Sequence, residues 1–290
     1  MIIIKLMGGL GNQLFQYAAG RALAYVKQTE LLIDPTFYDN ESGNIEKRNY
    51  SLEAFNIQPA FATKAHLNRF DNPTLFLKAT DKLRPYYKKR YFFEQHFHFD
   101  TNFFQASSSA ILVGFWQSEK YFQSISDVIR KEFTITGNLS DKTKDVEQAI
   151  ANSNSVSIHI RRGDYIKNPE TLRNHGVCEI EYYEAGMKLI AESVSNPNYF
   201  VFSDDIAWVK ENLKVNGQVT FVTHNDGAHA YEDMYLMSQC KHNIIANSTF
   251  SWWAAWLNNN ANKKVIAPKK WFNEFNGNTK DLFPTGWMVI

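Results

Sequence analysis

Short apolar runs and amphipathic segments alternate along much of the chain, beginning at its first residues. Residues 2–7 form an apolar run, apolar side chains then recur at helical spacing through about Lys27, and a second apolar run covers 31–33. Buried parallel strands have continuous apolar runs, whereas a helix that covers a sheet has one apolar face. The pattern therefore predicts a β-α-β unit at the start of the chain, with Asn12 as the N-cap of its helix.

The second half of the chain alternates between strand and helix patterns in the same way. The strand patterns lie at 155–160, 199–202, 219–222, 243–246 and 264–267, with helix patterns between them. This alternation is typical of a parallel, doubly wound sheet. Ligands bind beyond the carboxyl ends of the strands in such sheets, and here those ends carry RRGDY, SDD, THND and NSTFS. These polar clusters mark the predicted ligand site.

Length and polarity predict two domains. A chain of 290 residues with 44% hydrophobic composition can form two cores. The polar stretch at 136–145 contains few apolar residues and places the boundary around residue 150. The predicted domains are therefore residues 1–150 and 151–290, and residues 36–110 are the part whose pattern is hardest to interpret.

Charge and cysteine content narrow the classes of protein and compartment. The net charge of +1 indicates no general affinity for nucleic acid or for an anionic membrane. Cys178 and Cys240 are too few for a disulfide framework, so both are expected to be reduced thiols. The first residues lack the basic region and long apolar run of a signal peptide, and no stretch is long enough to span a membrane. We therefore expect a cytoplasmic protein, with peripheral contact at the inner face of the membrane left open.

The strongest chemical cluster ends the first strand of the second half. His159 and Arg161 share one face of this strand, because alternate residues of a strand point the same way. Arg161 and Arg162 suit a pyrophosphate, since guanidinium groups stay charged and bind phosphate oxygens through two N–H groups at once. A surface salt bridge from one arginine to Asp164 is the alternative. The position at a strand end favours phosphate binding.

A glycine-rich turn, Gly8-Gly9-Leu10-Gly11, follows the first strand of the chain. Glycines allow a ligand to approach the backbone, and the N-terminus of the next helix attracts anions. A dinucleotide-binding loop has a similar shape, and Asp34 lies where its ribose-binding acid would belong, although Leu14 replaces the third glycine of the fingerprint. A tight turn without a ligand explains the glycines equally well.

Two other strand ends supply hydroxyl and carboxylate groups. Residues 247–251 (NSTFS) open a helix and can cap it or bind phosphate and ribose. Residues 203–205 (SDD) hold a pair of acids, but neighbours on a strand point to opposite faces and are not expected to chelate together. The sequence contains no Asp-x-Asp and no clear histidine set for a metal. We therefore expect neither a metal nor a cofactor.

Taken together, these motifs resemble glycosyltransferase family 11, the bacterial α-1,2-fucosyltransferases. The matching segments are, in order, GGLGNQLFQYA, HIRRGDY, HGVCEIEYYEAGMKLI, FSDD and ANSTFSWWAAWL. The resemblance implies a GT-B-like α/β fold of two facing Rossmann-type domains with parallel sheets. It also implies inverting, metal-independent transfer of L-fucose from GDP-β-L-fucose to the 2-hydroxyl of a terminal β-galactoside, giving Fucα1-2Gal.

The resemblance also implies roles for the domains and residues. Residues 1–150 would form the acceptor-side domain and residues 151–290 the GDP-fucose-binding domain. The expected partners are GDP-fucose and a galactose-containing oligosaccharide or glycolipid, with no nucleic acid and no transmembrane segment. The predicted catalytic residues are Arg161 and His159 at the diphosphate, together with Asp164, which is our own candidate for the general base and is not carried over from the family. The predicted donor-binding residues are Gly9, Gly11, Asn12, His159, Arg161, Arg162, Ser203, Asp204, Asp205, Asn247, Ser248, Thr249, Phe250 and Ser251.

Two other functions explain part of the pattern. An NAD(P)-dependent oxidoreductase accounts for the glycine turn and Asp34, but not for HIRRGDY or the second set of strands and helices. A non-catalytic carbohydrate-binding protein accounts for the 15% aromatic content, but not for two arginines at a strand end.

Overall fold

The computed structural model describes residues 1–39, 49–225, 227–275 and 277–290, apart from the side chains of Asp164 and Ala228. The chain divides into two compact units. The first comprises Met1–Thr136 and Gly277–Pro284, and the second comprises Gly137–Asn276 and Thr285–Ile290. Within the described residues, no helix is both long enough and apolar enough to cross a membrane.

The first unit is a parallel sheet with helices. Its strands are β1 (Ile2–Lys5), β2 (Leu31–Asp34), β3 (Ala60–Phe61), β4 (Tyr91–Phe93) and β5 (Ala110–Val113), and its α-helices are α1 (Leu10–Val26), α2 (Lys64–Asp71), α3 (Leu75–Leu83) and α4 (Ser126–Glu132). The strands lie in the order β3-β2-β1-β5-β4 and pair in parallel. The chain extends the sheet to one side of β1 and then to the other, so a crevice for ligands is expected between the carboxyl ends of β1 and β5.

The predicted β-α-β unit is confirmed, but the predicted N-cap is wrong. Helix α1 follows Gly9, so Asn12 lies in its first turn. Gly8 has a φ of +77°, and a Cβ atom there would lie 2.6 Å from Nδ2 of Asn12. The left-handed backbone conformation therefore favours glycine at this position, and a larger residue would also have to displace the Asn12 amide.

A late segment of the chain returns to the first unit. The carbonyl of Asp281 accepts a hydrogen bond from the Ser118 hydroxyl at 2.6 Å, and its carboxylate pairs with Lys120 Nζ at 2.5 Å. The same carboxylate accepts the backbone N–H of Phe99 at 3.1 Å. Asp281 is buried, so these contacts fix Gly277–Pro284 as part of the first unit.

The second unit is a larger parallel sheet with helices. Its strands are β6 (Asn154–Ile160), β7 (Pro197–Ser203), β8 (Gln218–Val222), β9 (His242–Ile244), β10 (Val265–Ala267) and β11 (Met288–Val289). Its α-helices are α5 (Asp141–Ala151), α6 (Gly163–Lys167), α7 (Pro169–His175), α8 (Ile180–Ala191), α9 (Ile206–Asn212), α10 (Ala230–Gln239) and α11 (Thr249–Leu257). The strands lie in the order β11-β10-β9-β6-β7-β8 and pair in parallel. The predicted doubly wound sheet is confirmed, and its direction of growth reverses between β6 and β9.

The second unit begins before the boundary expected around residue 150. The Ser140 hydroxyl caps α5 and also donates to the carboxylate of Glu232 at 2.9 Å. The Thr143 hydroxyl lies 2.8 Å from Nε2 of His224. These contacts hold α5 on the second unit, because Glu232 lies on α10 and His224 follows β8. A polar stretch in the sequence thus contains the start of a helix as well as a linker.

The two faces predicted for β6 are confirmed. Ile158 and Ile160 are buried in a core shared with Tyr183 of α8. His159 points to the other face, where its ring centroid lies 5.4 Å from that of Phe250 on α11. The strand therefore supplies core packing on one side and a polar ring near its carboxyl end on the other.

Candidate functional site

The carboxyl end of β6 brings two arginines to two aspartates that follow β7. Nη1 of Arg161 lies 3.1 Å from Oδ2 of Asp204, and the backbone N–H of Arg162 donates to Oδ1 of Asp204 at 2.9 Å. Nε of Arg162 lies 3.6 Å from Oδ2 of Asp205. A guanidinium group carries five N–H donors, so it can hold a carboxylate and still bind phosphate. The aspartates therefore orient the arginines and leave other guanidinium N–H groups available to bind phosphate.

The ring of Trp208, on α9, stacks against the guanidinium group of Arg162. The guanidinium carbon of Arg162 lies 3.9 Å from the centroid of the Trp208 ring, a distance at which an arginine stacks on an aromatic face. The carboxylate of Asp205 also caps α9 by accepting the N–H of Trp208 at 3.4 Å. Sequence reasoning missed Trp208, because a single tryptophan in a helical pattern is usually core packing. Its position in the turn after SDD is the signal that could have identified it.

His159 meets the start of α11 at the point where the sheet changes direction. Ser248 is the N-cap of α11 and accepts the N–H of Phe250 at 3.3 Å, while the Ser251 hydroxyl donates to the carbonyl of Ser248 at 3.3 Å. The first N–H groups of a helix and its dipole favour an anion at this end. Capping and anion binding, the two explanations of NSTFS, are therefore compatible in one place.

Asn247 uses its side chain to hold neighbouring loops. Its amide group donates to the carbonyls of His175, Gly176 and Trp271 at 3.0, 3.3 and 3.3 Å. Its oxygen accepts the thiol of Cys178 at 3.5 Å. Asn247 is buried, so its side chain acts on these loops, which surround the start of α11.

The glycine turn of the first unit lies at the carboxyl edge of its own sheet. Oδ1 of Asn12 accepts a hydrogen bond from Nε2 of Gln117, which follows β5, at 3.0 Å. Gln117 is 7% exposed, and within the described residues no donor reaches its Oε1. A buried acceptor without a donor at the ligand edge of a sheet indicates a place for a ligand or a water. Sequence reasoning missed Gln117, and its place just after a strand pattern is the one signal for it.

Glu94 lies at the same edge, directly after β4. Its carboxylate accepts the backbone N–H groups of Phe115 and Trp116 at 2.7 and 3.0 Å. Burial raises the pKa of Glu94 from its usual 4.5 to about 7, and the two N–H groups and nearby His96 offset this only in part. The carboxyl group is therefore half protonated near neutral pH.

We expect Glu94 to make the free energy of unfolding fall as the pH rises from about 4.5 to 7. The folded chain holds the proton on Glu94 more tightly than the unfolded chain, so this stabilisation is complete below the unfolded pKa and is lost as the pH passes the folded one. The loss is on the order of 3 kcal/mol. Urea unfolding of Glu94→Gln should lack this part of the pH dependence, whereas the exposed control Glu53→Gln should keep it. An unchanged pH profile in Glu94→Gln would contradict the assignment.

The predicted general base lies shortly after β6. Asp164 lies on α6, and its side chain is outside the described residues. Of the other predicted residues, Gly9, Gly11 and Asn12 lie on the first unit, and the rest lie at the carboxyl edge of the second. The described part of the chain contains no group of three or more His, Cys, Asp or Glu side chains arranged to hold a metal ion.

The chain is similar to known glycosyltransferases in sequence. The family model described as Glycosyl transferase family 11 matches residues 1–290. The chain is 36% identical to an alpha-1,2-colitosyltransferase of Escherichia coli, over 100% of this chain and 99% of that protein. It is 34% identical to the O-antigen biosynthesis glycosyltransferase WbnK of Escherichia coli, over 98% and 99%. Identity to the galactoside alpha-(1,2)-fucosyltransferase 2 of Bos taurus is 25%, over 89% of this chain and 69% of that protein.

The fold is also similar to a solved structure. NodZ alpha-1,6-fucosyltransferase, soaked with GDP-fucose, superposes with a TM-score of 0.53 at 18% identity, covering 88% of this chain and 91% of that one. This likeness confirms the predicted GT-B-like class, with two α/β domains built on parallel sheets. The family model spans the whole chain, and two relatives exceed 30% identity over nearly their full length. The chain therefore belongs to glycosyltransferase family 11.

Proposed function

We propose that this glycosyltransferase moves L-fucose from GDP-β-L-fucose to the 2-hydroxyl of a terminal β-galactoside, with inversion and without a metal, giving Fucα1-2Gal. The observation that carries the proposal is the oriented Arg161, held by Asp204 beside His159 and the start of α11. The names of two relatives, a colitosyltransferase and a galactoside fucosyltransferase, both specify an α-1,2 linkage, which supports the regiochemistry.

In the proposed mechanism, the bond between C1 of the sugar and the diphosphate oxygen stretches first. Negative charge then builds on the diphosphate, where Arg161 and the N–H groups at the start of α11 stabilise it. These charge-stabilising groups take the part that a divalent cation plays in enzymes with Asp-x-Asp, a motif that this sequence lacks. The 2-hydroxyl of the acceptor attacks C1 from the opposite face, which inverts the anomeric configuration.

The proposed donor-binding residues divide by what their side chains contact. Arg162, Asp204 and Asp205 form the oriented charge cluster, and the remaining lone pairs of the aspartates can accept from ribose or guanine. Ser203 accepts the N–H of Asp205 at 3.0 Å and so shapes the same turn. Ser248, Thr249, Phe250 and Ser251 lie at the start of α11, and Gly9, Gly11 and Asn12 remain predicted donor ligands on the first unit.

Asp164 is the proposed general base that takes the proton of the acceptor hydroxyl. Positioned bases contribute about 100- to 10,000-fold to such steps, so Asp164→Asn should lower kcat by a factor in this range. The pH profile of kcat should lose its acid limb in the same variant. Turnover of Asp164→Asn close to that of the wild type would remove Asp164 from this role and leave the rest of the proposal intact.

Colitose is the second candidate for the transferred sugar. A relative at 36% identity is named as a colitosyltransferase, and colitose is L-fucose without the 3-hydroxyl. A pocket that hydrogen-bonds this hydroxyl would reject GDP-colitose by about 10,000-fold or more, whereas an apolar pocket would discriminate by about 100-fold or less. The ratio of kcat/KM for the two donors therefore reports whether the 3-hydroxyl is recognised.

The proposal is tested by measuring GDP release from GDP-fucose and from GDP-colitose, with and without lactose, in excess EDTA. We expect release from GDP-fucose that depends on lactose and survives EDTA, and a product whose NMR spectrum shows an α1-2 linkage to galactose. Release from GDP-colitose but not from GDP-fucose would identify colitose as the transferred sugar. A requirement for added metal would contradict the proposed charge stabilisation, and an absence of release with either donor and any β-galactoside would contradict the proposed reaction.

A further inference from the structure

Helix α3 of the first unit carries an exposed apolar stripe. Leu75, Phe76 and Leu83 are 84%, 75% and 88% exposed, and none of the side chains of α3 is buried by the described residues. At 100° per residue, these three side chains and Ala79 fall within about 100° of the helix circumference. Single exposed apolar residues are common, but a continuous stripe of this kind indicates an interaction surface.

The opposite side of α3 is fixed to the body of the unit. Asp81 accepts the backbone N–H of Arg90 at 3.0 Å, and its other oxygen lies 3.5 Å from Nε of the same arginine. Arg90 immediately precedes β4, so this contact ties the end of α3 to the start of a sheet strand. The apolar stripe is thus held outward by a specific contact on the inner side of the helix.

Basic side chains lie beside the stripe. Residues 78–89 contain five basic residues, and their one acidic residue, Asp81, is paired with Arg90 on the inner side, in a chain whose net charge is only +1. Lys78 and Lys82 flank the stripe on α3. Arg84 and Lys88 line a cavity of about 390 Å³ together with Lys27, and the other residues that line it carry no carboxylate. Three cations around one cavity suit the phosphate group of an anionic lipid.

This surface lies at the amino edge of the first sheet. Lys27 follows α1, which runs back antiparallel to β1, and Arg84 and Lys88 precede β4. Ser107, which also lines the cavity, precedes β5. The glycine turn and Gln117 occupy the carboxyl edge, so a surface bound at the amino edge leaves the candidate ligand edge of this unit uncovered.

We propose that α3 and the cavity lined by Lys27, Arg84 and Lys88 form a docking surface for an anionic phospholipid bilayer. The apolar stripe would enter the boundary between headgroups and acyl chains, and the cations would contact lipid phosphates. An apolar face bordered by lysines and arginines is the pattern of helices that lie in the plane of a membrane. Exposed Tyr25 and Val26, next to Lys27, extend the apolar part of the surface.

A second copy of the chain fits this surface less well. Two copies that met through α3 would bring the lysines and arginines of one against those of the other, which is unfavourable. A few apolar side chains also offer much less than the roughly 1,200–2,000 Å² buried in a stable protein interface. An anionic bilayer would both bury the apolar stripe and attract the positive charge beside it.

Co-sedimentation of the full chain with lipid vesicles tests the docking surface. We expect binding to vesicles that mix phosphatidylglycerol with phosphatidylcholine, little binding to phosphatidylcholine alone, and weaker binding as salt is raised. The combined change of Leu75, Phe76 and Leu83 to Ser, and separately Arg84→Glu with Lys88→Glu, should each lower the partition coefficient at least about tenfold. A matched control, Val219→Ser with Phe275→Ser, changes exposed apolar residues of the second unit and should bind like the wild type.

The same variants distinguish loss of docking from loss of folding. Each should keep the melting temperature of the wild type and its GDP release with lactose, since no buried side chain changes. Absence of binding to anionic vesicles, or binding that both variants retain, would overturn the proposal. A wild-type dimer that the serine variant converts to a monomer would assign the stripe to a second copy and would also overturn it.

Discussion

Arg161→Ala is expected to lower the rate of acceptor-dependent GDP release by about 100- to 1,000-fold, the loss that follows removal of one preorganised donor to a developing negative charge. The guanidinium is held by Asp204 at 3.1 Å, so little reorganisation is needed when charge builds on the diphosphate. The change also leaves Asp204 without its cation, and a carboxylate beside the diphosphate would then repel it. Both effects raise the barrier to cleavage of the sugar–phosphate bond.

Two further variants decide how Arg161 acts. Arg161→Lys keeps the charge but loses the planar pair of N–H groups, so its turnover should lie between those of the wild type and Arg161→Ala. Arg173→Ala removes an exposed arginine that pairs with Glu274 in the same unit, and should leave turnover unchanged. Turnover of Arg161→Ala close to the wild-type rate would show that the diphosphate is stabilised elsewhere.

Asn247→Ala is expected to lower the free energy of unfolding by about 2–4 kcal/mol, because it leaves buried polar groups without partners. The lost amide satisfies the carbonyls of His175 and Gly176, at the end of α7, and of Trp271, which lies in a separate segment. Urea unfolding measures the effect, with exposed Asn262→Ala as the control. GDP binding should weaken only indirectly, because the loops around the start of α11 become less well ordered.

The opposite result for Asn247 would be equally informative. A variant with wild-type stability that no longer binds GDP would place the amide directly on the donor. A variant that is destabilised but binds GDP normally at low temperature would make Asn247 a residue that positions the site.

The second unit could be predicted largely from sequence because its central strands, β6, β7, β9 and β10, are mostly buried. The β6, β7 and β8 patterns are short segments rich in β-branched and aromatic residues, and the bounds predicted for each lie within two residues of the observed strand. The first unit was harder because β3 and β4 are edge strands of two and three residues. Phe61 and Phe93, which lie on them, are 45% and 54% exposed, so no run of buried side chains marks these strands.

For the candidate site, the sequence could predict which segments lie together but not which side chains contact each other. Strand ends collect at one edge of a parallel sheet, so the location of HIRRGDY and SDD could be predicted together. The choice of Asp204 as the partner of Arg161 depends on β7 lying beside β6, which the linear pattern does not fix. The stack of Arg162 on Trp208 and the hydrogen bond between Asn12 and Gln117 depend on the same kind of spatial neighbourhood.

The return of Gly277–Pro284 to the first unit limits how this enzyme can be engineered by exchange of its halves. A chimera joined only at Thr136 would pair the first unit with a foreign Asp281 or with none, and would leave Ser118 and Lys120 without their partner. The modular boundary is therefore discontinuous along the gene. A hybrid in which the second unit is exchanged while Gly277–Pro284 stays with Met1–Thr136 should express as a folded protein, whereas a hybrid with one crossover should not.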